Sequence, residues 1–244
     1  MNKFLTAEQI AENYDILMEK ISEIFSGERK EKLLNMFEQL GDRFATAPAS
    51  TKGGFHNPFP GGLLLHTLNV MNMGEKIFDV WTEFGANTAL FSKESFFFVA
   101  LCHDLGKVGN LQGDMYIDND SDWHIKNRQE YYKINPEITN MKHEHRSLWL
   151  LNQFGIQLNE EEFIAILTHS GTNEPGNDFY FFPFGEGRLP RTCLIYMLSE
   201  ADIMAYRIEN EQFNTPSSDL NKAVKVNVKE DKKTAEDIFD ELFN

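Results

Sequence analysis

From Phe96 to Cys102 the chain reads Phe-Phe-Phe-Val-Ala-Leu-Cys without one polar side chain, and the run stops at His103-Asp104. Residues of these types in unbroken succession are interior residues, so the run predicts a buried helical segment. Ser92 stands where an N-cap is needed, and Gly106 and Lys107 follow the His-Asp pair. Adjacent side chains on a helix diverge by about 100°. At a frayed, Gly-terminated helix end they can instead converge on one point from different backbone directions. Neutral imidazole and carboxylate together form a ligand set for a divalent cation, and the rest of the chain can be searched for their partners.

The dominant period is helical. Thr6-Ala7-Glu8-Gln9 fits a capping box. Ile10, Tyr14, Leu17, Ile21 and Ile24 then recur at helical spacing up to Gly27, which ends the helix. A second helix runs over 28–44, a small-residue loop over 45–60, and a third helix over 62–84 carrying His66. Helices resume over 143–154 and 159–169, the latter with an Asn159/Glu162 capping pair. Another spans 189–208, with Pro190 in its first turn. Residues 108–142 and 171–190 are long, Gly-punctuated and aromatic, with weak strand signals, and loops of that length in a compact domain are usually functional. Residues 217–228 are polar and carry no clear pattern, and 234–243 fits a short amphipathic helix. The expectation is one all-α domain over 1–244, a helical bundle with two long aromatic-rich loops. Its core lies at about 55–208, with helices 6–44 and the segment 217–244 packed on it.

Composition narrows the function classes. The chain has 38 acidic and 23 basic side chains, a formal charge of -15, and no Lys/Arg-rich stripe. Such a surface repels a polyphosphate backbone, which argues against long nucleic acid as substrate. Cys102 and Cys193 are too few for a disulfide framework, and Cys102 reads as a small core residue. The first twenty residues are amphipathic and acidic, unlike a signal peptide, and no apolar run is long enough to span a bilayer. These features predict a cytoplasmic protein with no membrane partner. They leave its oligomeric state open.

Five further positions carry ionisable side chains near helix ends or on apolar helix faces. His66 follows Gly61-Gly62 on the face of Leu65, Leu68 and Val70, His143 opens a helix and His169 closes one. Asp202 lies in an otherwise apolar helix, and His145 competes with His143 two residues away. Buried ionisable groups are costly unless paired or metal-bound, so these residues are metal-ligand candidates. The series His66, His103-Asp104, His143, His169, Asp202, with its Gly-Gly-Leu-Leu-Leu-His and His-Asp-Leu-Gly-Lys segments, resembles the HD superfamily of metal-dependent phosphohydrolases over roughly residues 55–208. The resemblance implies an HD-type helical core in which His66, His103, Asp104 and Asp202 hold a first ion. His143 and His169 resemble the added ligands of the two-metal branch, with Asp104 bridging. Of the competing pair, His143 fits better because a small residue, Ser147, follows it by four.

Imidazole and carboxylate ligands suit Mn²⁺, Fe²⁺, Co²⁺, Ni²⁺ or Zn²⁺ and tolerate Mg²⁺ less well, and the resemblance implies two such divalent ions as cofactors. Ions about 3.5–4 Å apart can activate a water and clamp a phosphate oxygen, which implies phosphoester hydrolysis by a metal-bound hydroxide. Lys107, three residues past the doublet, can neutralise phosphate. Its plainer role is to complement a helix C-terminus. Arg188 and Arg191, flanking Pro190, are weaker phosphate candidates, and His56 and His124 can orient substrate or shuttle a proton. Trp123, Tyr116, Tyr180 and Phe182 can sandwich a base, although with 21 Phe in the chain packing is the commoner fate of an aromatic. Within the superfamily the small, acidic chain resembles bacteriophage deoxynucleoside 5′-monophosphatases, which implies a small nucleotide substrate and a place in the host cytoplasm. The alternatives are a deoxynucleoside triphosphohydrolase, a phosphodiesterase or 3′–5′ exonuclease, and a non-enzymatic nucleotide or metal sensor.

Overall fold

The computed structural model describes residues 4–182 and 192–215. Those up to Phe213 belong to one compact unit. Arg188, Pro190, Arg191 and the segments 217–228 and 234–243 lie outside the described residues.

Helix α1 (Ala7–Ile24) begins with the expected capping box: Thr6 Oγ1 accepts from the Gln9 N–H, and the Gln9 side chain accepts from the Thr6 N–H. Its Leu17 and Ile21 are fully buried. Gly27 opens α2 (Gly27–Thr46) rather than closing α1. Phe25 turns the chain first, because its extended backbone ends α1 while its ring packs edge-on against Phe98. Helices α3 (Gly62–Glu83) and α4 (Lys93–Cys102) follow. Every residue of α4 from Ser95 to Cys102 is buried, with α3 on one side and α7 (Glu160–Thr168) on another. Close approach is possible where Gly74 faces Phe96, since a Cβ at 74 would lie 2.4 Å from the Phe96 ring.

The first aromatic loop is not structureless. It holds a 3-10 turn over Leu105–Val108 and a small antiparallel pair, β1 (Tyr116–Asp118) and β2 (Tyr132–Ile134), in register Tyr116↔Ile134. A short helix, α5 (Asp122–Arg128), connects the two strands. Helix α6 (His143–Gln153) packs closely on the 3-10 turn. The second aromatic loop holds a 3-10 turn and α8 (Asp178–Phe181), with no strand among its described residues. Asn177 there donates through Nδ2 to the Thr168 and Gly171 carbonyls, and Phe181 is buried on the core. Helix α9 (Leu194–Asn214) completes the bundle. Among the described residues the fold is all-α apart from this one hairpin, and no described helix is long and apolar enough to cross a membrane.

One buried carboxylate ties three of these helices. Glu162, fully buried, closes the α7 capping box by accepting from the Asn159 N–H. It also accepts two bonds from Arg29 of α2, at 2.8 and 3.0 Å, and one from Ser95 Oγ of α4, at 2.8 Å. The Arg29 guanidinium lies 4.4 Å above the Phe98 ring. Removing one partner of a buried ion pair strands the other without compensation. Glu162→Ala should therefore cost about 3 kcal/mol of unfolding free energy, read as a lower urea midpoint with unchanged slope.

Candidate metal centre

The cluster is assembled from five helix ends and faces. Gly61, at φ +85, caps α3 in the left-handed region. A Cβ on Gly62 would lie 2.1 Å from the Asn57 carbonyl, so only glycine lets α3 start this close to the preceding loop. One turn later His66 is fully buried. His103, the C-cap of α4, keeps helical dihedrals, whereas Asp104 leaves the helix at φ -101, ψ 7. That break lets two adjacent side chains address one space. Ser147 of α6 locks the turn: its Oγ accepts from the Gly106 N–H at 2.8 Å and lies within 3.0 Å of the His103 and His143 carbonyls, its acceptors. A Cβ on Gly106 would lie 2.0 Å from the His143 carbonyl. His143 opens α6, His169 follows the end of α7, and Asp202 projects from α9.

Two sets of ligand atoms meet at Asp104. On one side His66 Nε2 lies 3.0 Å from Asp202 Oδ1, 3.6 Å from Asp104 Oδ2 and 3.4 Å from His103 Nε2. On the other, Asp104 Oδ1 lies 3.2 Å from His143 Nε2 and 3.4 Å from His169 Nε2, which are 3.3 Å from each other. The triads His66–His103–Asp202 and Asp104–His143–His169 each gather their donor atoms within 4.8 Å. His56, His66 and Asp104 form a third such group. Lys107 Nζ donates to Asp104 Oδ2 at 2.6 Å.

The imidazoles all face inward by the same nitrogen. Nδ1 of His66 is 2.9 Å from Glu209 Oε2, and Nδ1 of His103 and of His169 donates to the Ala100 and Ile166 carbonyls at 2.8 Å. Nδ1 of His143 lies 3.2 Å from Glu144 Oε2. With Nδ1 engaged, Nε2 is the nitrogen each ring aims at the centre, and the facing Nε2 lone pairs of His143 and His169, 3.3 Å apart, repel unless a proton or cation lies between them. Burial alone pulls the His66 pKa down, but the Glu209 and Asp202 carboxylates outweigh it and raise it to about 10. Burial lowers His103 to about 4, so that ring is neutral. Burial also opposes ionisation of Asp104, but Lys107 and the surrounding histidines hold its carboxyl well below the usual range. In the absence of a cation, a proton on His66 and the Lys107 ammonium carry the compensating positive charge. The donor set fits a divalent cation in chemistry, tautomer and charge, and this buried His/Asp cluster can hold one.

The structure brings together His66, His103, Asp104, Lys107, His143, His169 and Asp202. His145 is exposed, two residues round the helix from His143. His56 also joins: it is buried, its ring centre is 4.4 Å from that of His66, and neither ring nitrogen makes a hydrogen bond among the described residues. Trp123 and His124 stay apart. Trp123 on α5 is 56% exposed with Arg128 over its ring, and His124 Nδ1 is engaged by Ser121 Oγ at 2.7 Å. Phe182 is exposed and Tyr180 packs against the core, so of the four candidate base-stacking aromatics Tyr116 alone is near Lys107. Glu209 escapes the sequence-based reading. It follows Asp202 by seven residues, two turns along one helix face, and its Oε1 also accepts from Asn69 Nδ2 at 2.7 Å. That spacing was the available signal. Compared with known protein families, characterised proteins and solved structures, the chain gives no match.

Two measurements test the centre. Glu209 orients His66, and losing such a partner typically weakens metal binding about 10–100-fold. Mn²⁺ titration should show that loss in Glu209→Ala and none in His145→Ala. The second concerns protons. With its pKa raised to about 10, His66 holds its proton in the folded protein at pH 8, and that contribution to stability is lost as pH rises through about 10. A cation needs the same nitrogen bare, so binding at pH 8 should release about one proton from His66. Calorimetry in two buffers of different ionisation enthalpy reads this number, and zero release would contradict the assignment.

Proposed function

We propose that the protein is a divalent-metal-dependent phosphohydrolase that releases inorganic phosphate from small nucleotides, with deoxynucleoside 5′-monophosphates as the preferred substrates. One observation carries the reading: Asp104 turns one oxygen to His66 and His103 and the other to His143 and His169, with the Lys107 ammonium against it. His66, His103, Asp104 and Asp202 would hold one ion, and Asp104, His143 and His169 a second. Bound there, such ions supply Lewis-acid polarisation of a phosphoryl oxygen and a water acidic enough to attack phosphorus at neutral pH.

The chain's own groups do the rest. Lys107 is buried among carboxylates and stays protonated, since Asp104 more than offsets the burial that would lower its pKa. It can pair with a phosphate oxygen without leaving Asp104. His56 is held neutral by burial, with the His66 and Lys107 charges adding to the effect. Its imidazole offers one N–H and one lone pair to a substrate oxygen. The acidic surface favours a compact substrate whose few charges these groups can match.

Phosphate release from a panel of dNMPs, NMPs, dNTPs, cyclic dinucleotides and short RNA, with Mn²⁺ and with chelator, is the test. The expected result is metal-dependent phosphate from dNMPs, reduced about 10³-fold or more in Asp104→Ala with helical content retained. Triphosphate release from dNTPs, RNA shortening, or metal binding without turnover would replace the proposal by the triphosphohydrolase, exonuclease or sensor reading.

A further inference from the structure

A cavity of about 190 Å³ opens beside Lys107, away from the histidines, and of the residues gathered at the metal cluster Lys107 is the one that lines it. The hairpin makes one wall. Alternate strand residues share a face, so Tyr116 and Asp118 of β1 point the same way, with Tyr132 of β2 paired opposite Asp118; all three line the cavity. The facing wall is the end of α2 and the loop after it, with Arg43, Ala47, Pro48 and Pro60. Lys107 lies at the junction, lining the cavity while its ammonium bonds Asp104.

The walls limit what the space can hold. Its volume is well below the roughly 300–1,000 Å³ of pockets for drug-sized ligands, so it suits a single ring system and not a dinucleotide or a strand. Its lining charges balance, Arg43 and Lys107 against Asp114 and Asp118, which argues against a second phosphate. Two phenol rings and two prolines offer flat faces of the kind on which bases stack. Arg43 supplies a directed donor. Its Nη2 donates to the Asn110 carbonyl at 2.7 Å, while the buried Nη1 makes no hydrogen bond among the described residues and stands 3.6 Å from Asp114. A buried donor in that state gains most from a ligand oxygen.

We infer that this cavity is the nucleoside subsite: it takes the base of a mononucleotide between the hairpin tyrosines and the proline-lined loop, with Arg43 donating to a base or sugar oxygen. The inference rests on the phosphohydrolase reading and gives it a substrate class, since one ring fits and a chain of nucleotides does not. It also assigns β1 and β2 a role in selectivity, separate from the metal ligands.

The test uses the full chain and two variants away from the metal cluster, Tyr132→Ala, which removes a stacking face, and Ala47→Leu, which fills the space. Steady-state phosphate release is measured with a dNMP and with glycerol 2-phosphate, which has no base. Stacking and base contacts of this kind predict a KM for the dNMP raised about tenfold or more, with kcat within about twofold. Hydrolysis of glycerol 2-phosphate should be unchanged. An unaltered dNMP KM in both variants, or equal losses on both substrates, overturns the subsite while leaving the phosphohydrolase reading standing. If the wild-type protein releases phosphate from neither compound, that reading fails, and equilibrium dialysis of the dNMP decides the cavity alone. Weaker binding in both variants supports it, and undiminished binding overturns it.

Discussion

A carboxylate held inside a helical core is the constraint around which this protein is organised. Asp104 is 2% exposed, and an anion so far from water must be compensated by opposite charge or hydrogen bonds. The fold answers with side chains from four different helices and the turn that follows α4. His66, His143, His169 and Lys107 surround its two oxygens, and Asp202 and Glu209 in turn hold His66. No single helix could supply this, because neighbours on one helix face away from one another. The bundle is what allows side chains 143 residues apart in sequence, His66 and Glu209, to meet at 2.9 Å.

The supporting contacts fall into two groups of different chemistry. The Glu162 network with Arg29 and Ser95 holds α2, α4 and α7 together through an internally balanced ion pair. It needs nothing further. The Asp104 cluster is the opposite case, since Asp104, Asp202 and Glu209 outnumber the Lys107 ammonium and the one proton that His66 holds. A structural ion pair and a ligand site can both be built from buried charges, and the imbalance is what separates them here. His56, buried beside that imbalance with no hydrogen bond among the described residues, belongs with the site and not with the scaffold.

Much of this was legible in the sequence for a physical reason. Capping boxes at Thr6 and Asn159 and the apolar run into His103 are local signals, and local signals survive in one dimension. The histidines stood out because each lies near a helix end or on an apolar helix face. Glu209 did not, because Glu211 stands two residues away and only the seven-residue offset from Asp202 separates the buried glutamate from the solvated one. The hairpin was weak for another reason: its strands are three residues long, too short for alternation to register. Trp123 is a different case. A large aromatic in a functional loop invites a role in binding, yet its position on α5 turns it to solvent, where Arg128 covers it.

Gly106 sets the scale of all this. Its Cα sits so near the His143 carbonyl that a single added methyl would collide, and Ser147 fastens the same junction. The turn that carries Asp104 therefore packs backbone to backbone against the start of α6, which carries His143. Rotamer changes at the rim cannot widen that spacing. The chain fixes this gauge through backbone contact and not through side chains that can change rotamer.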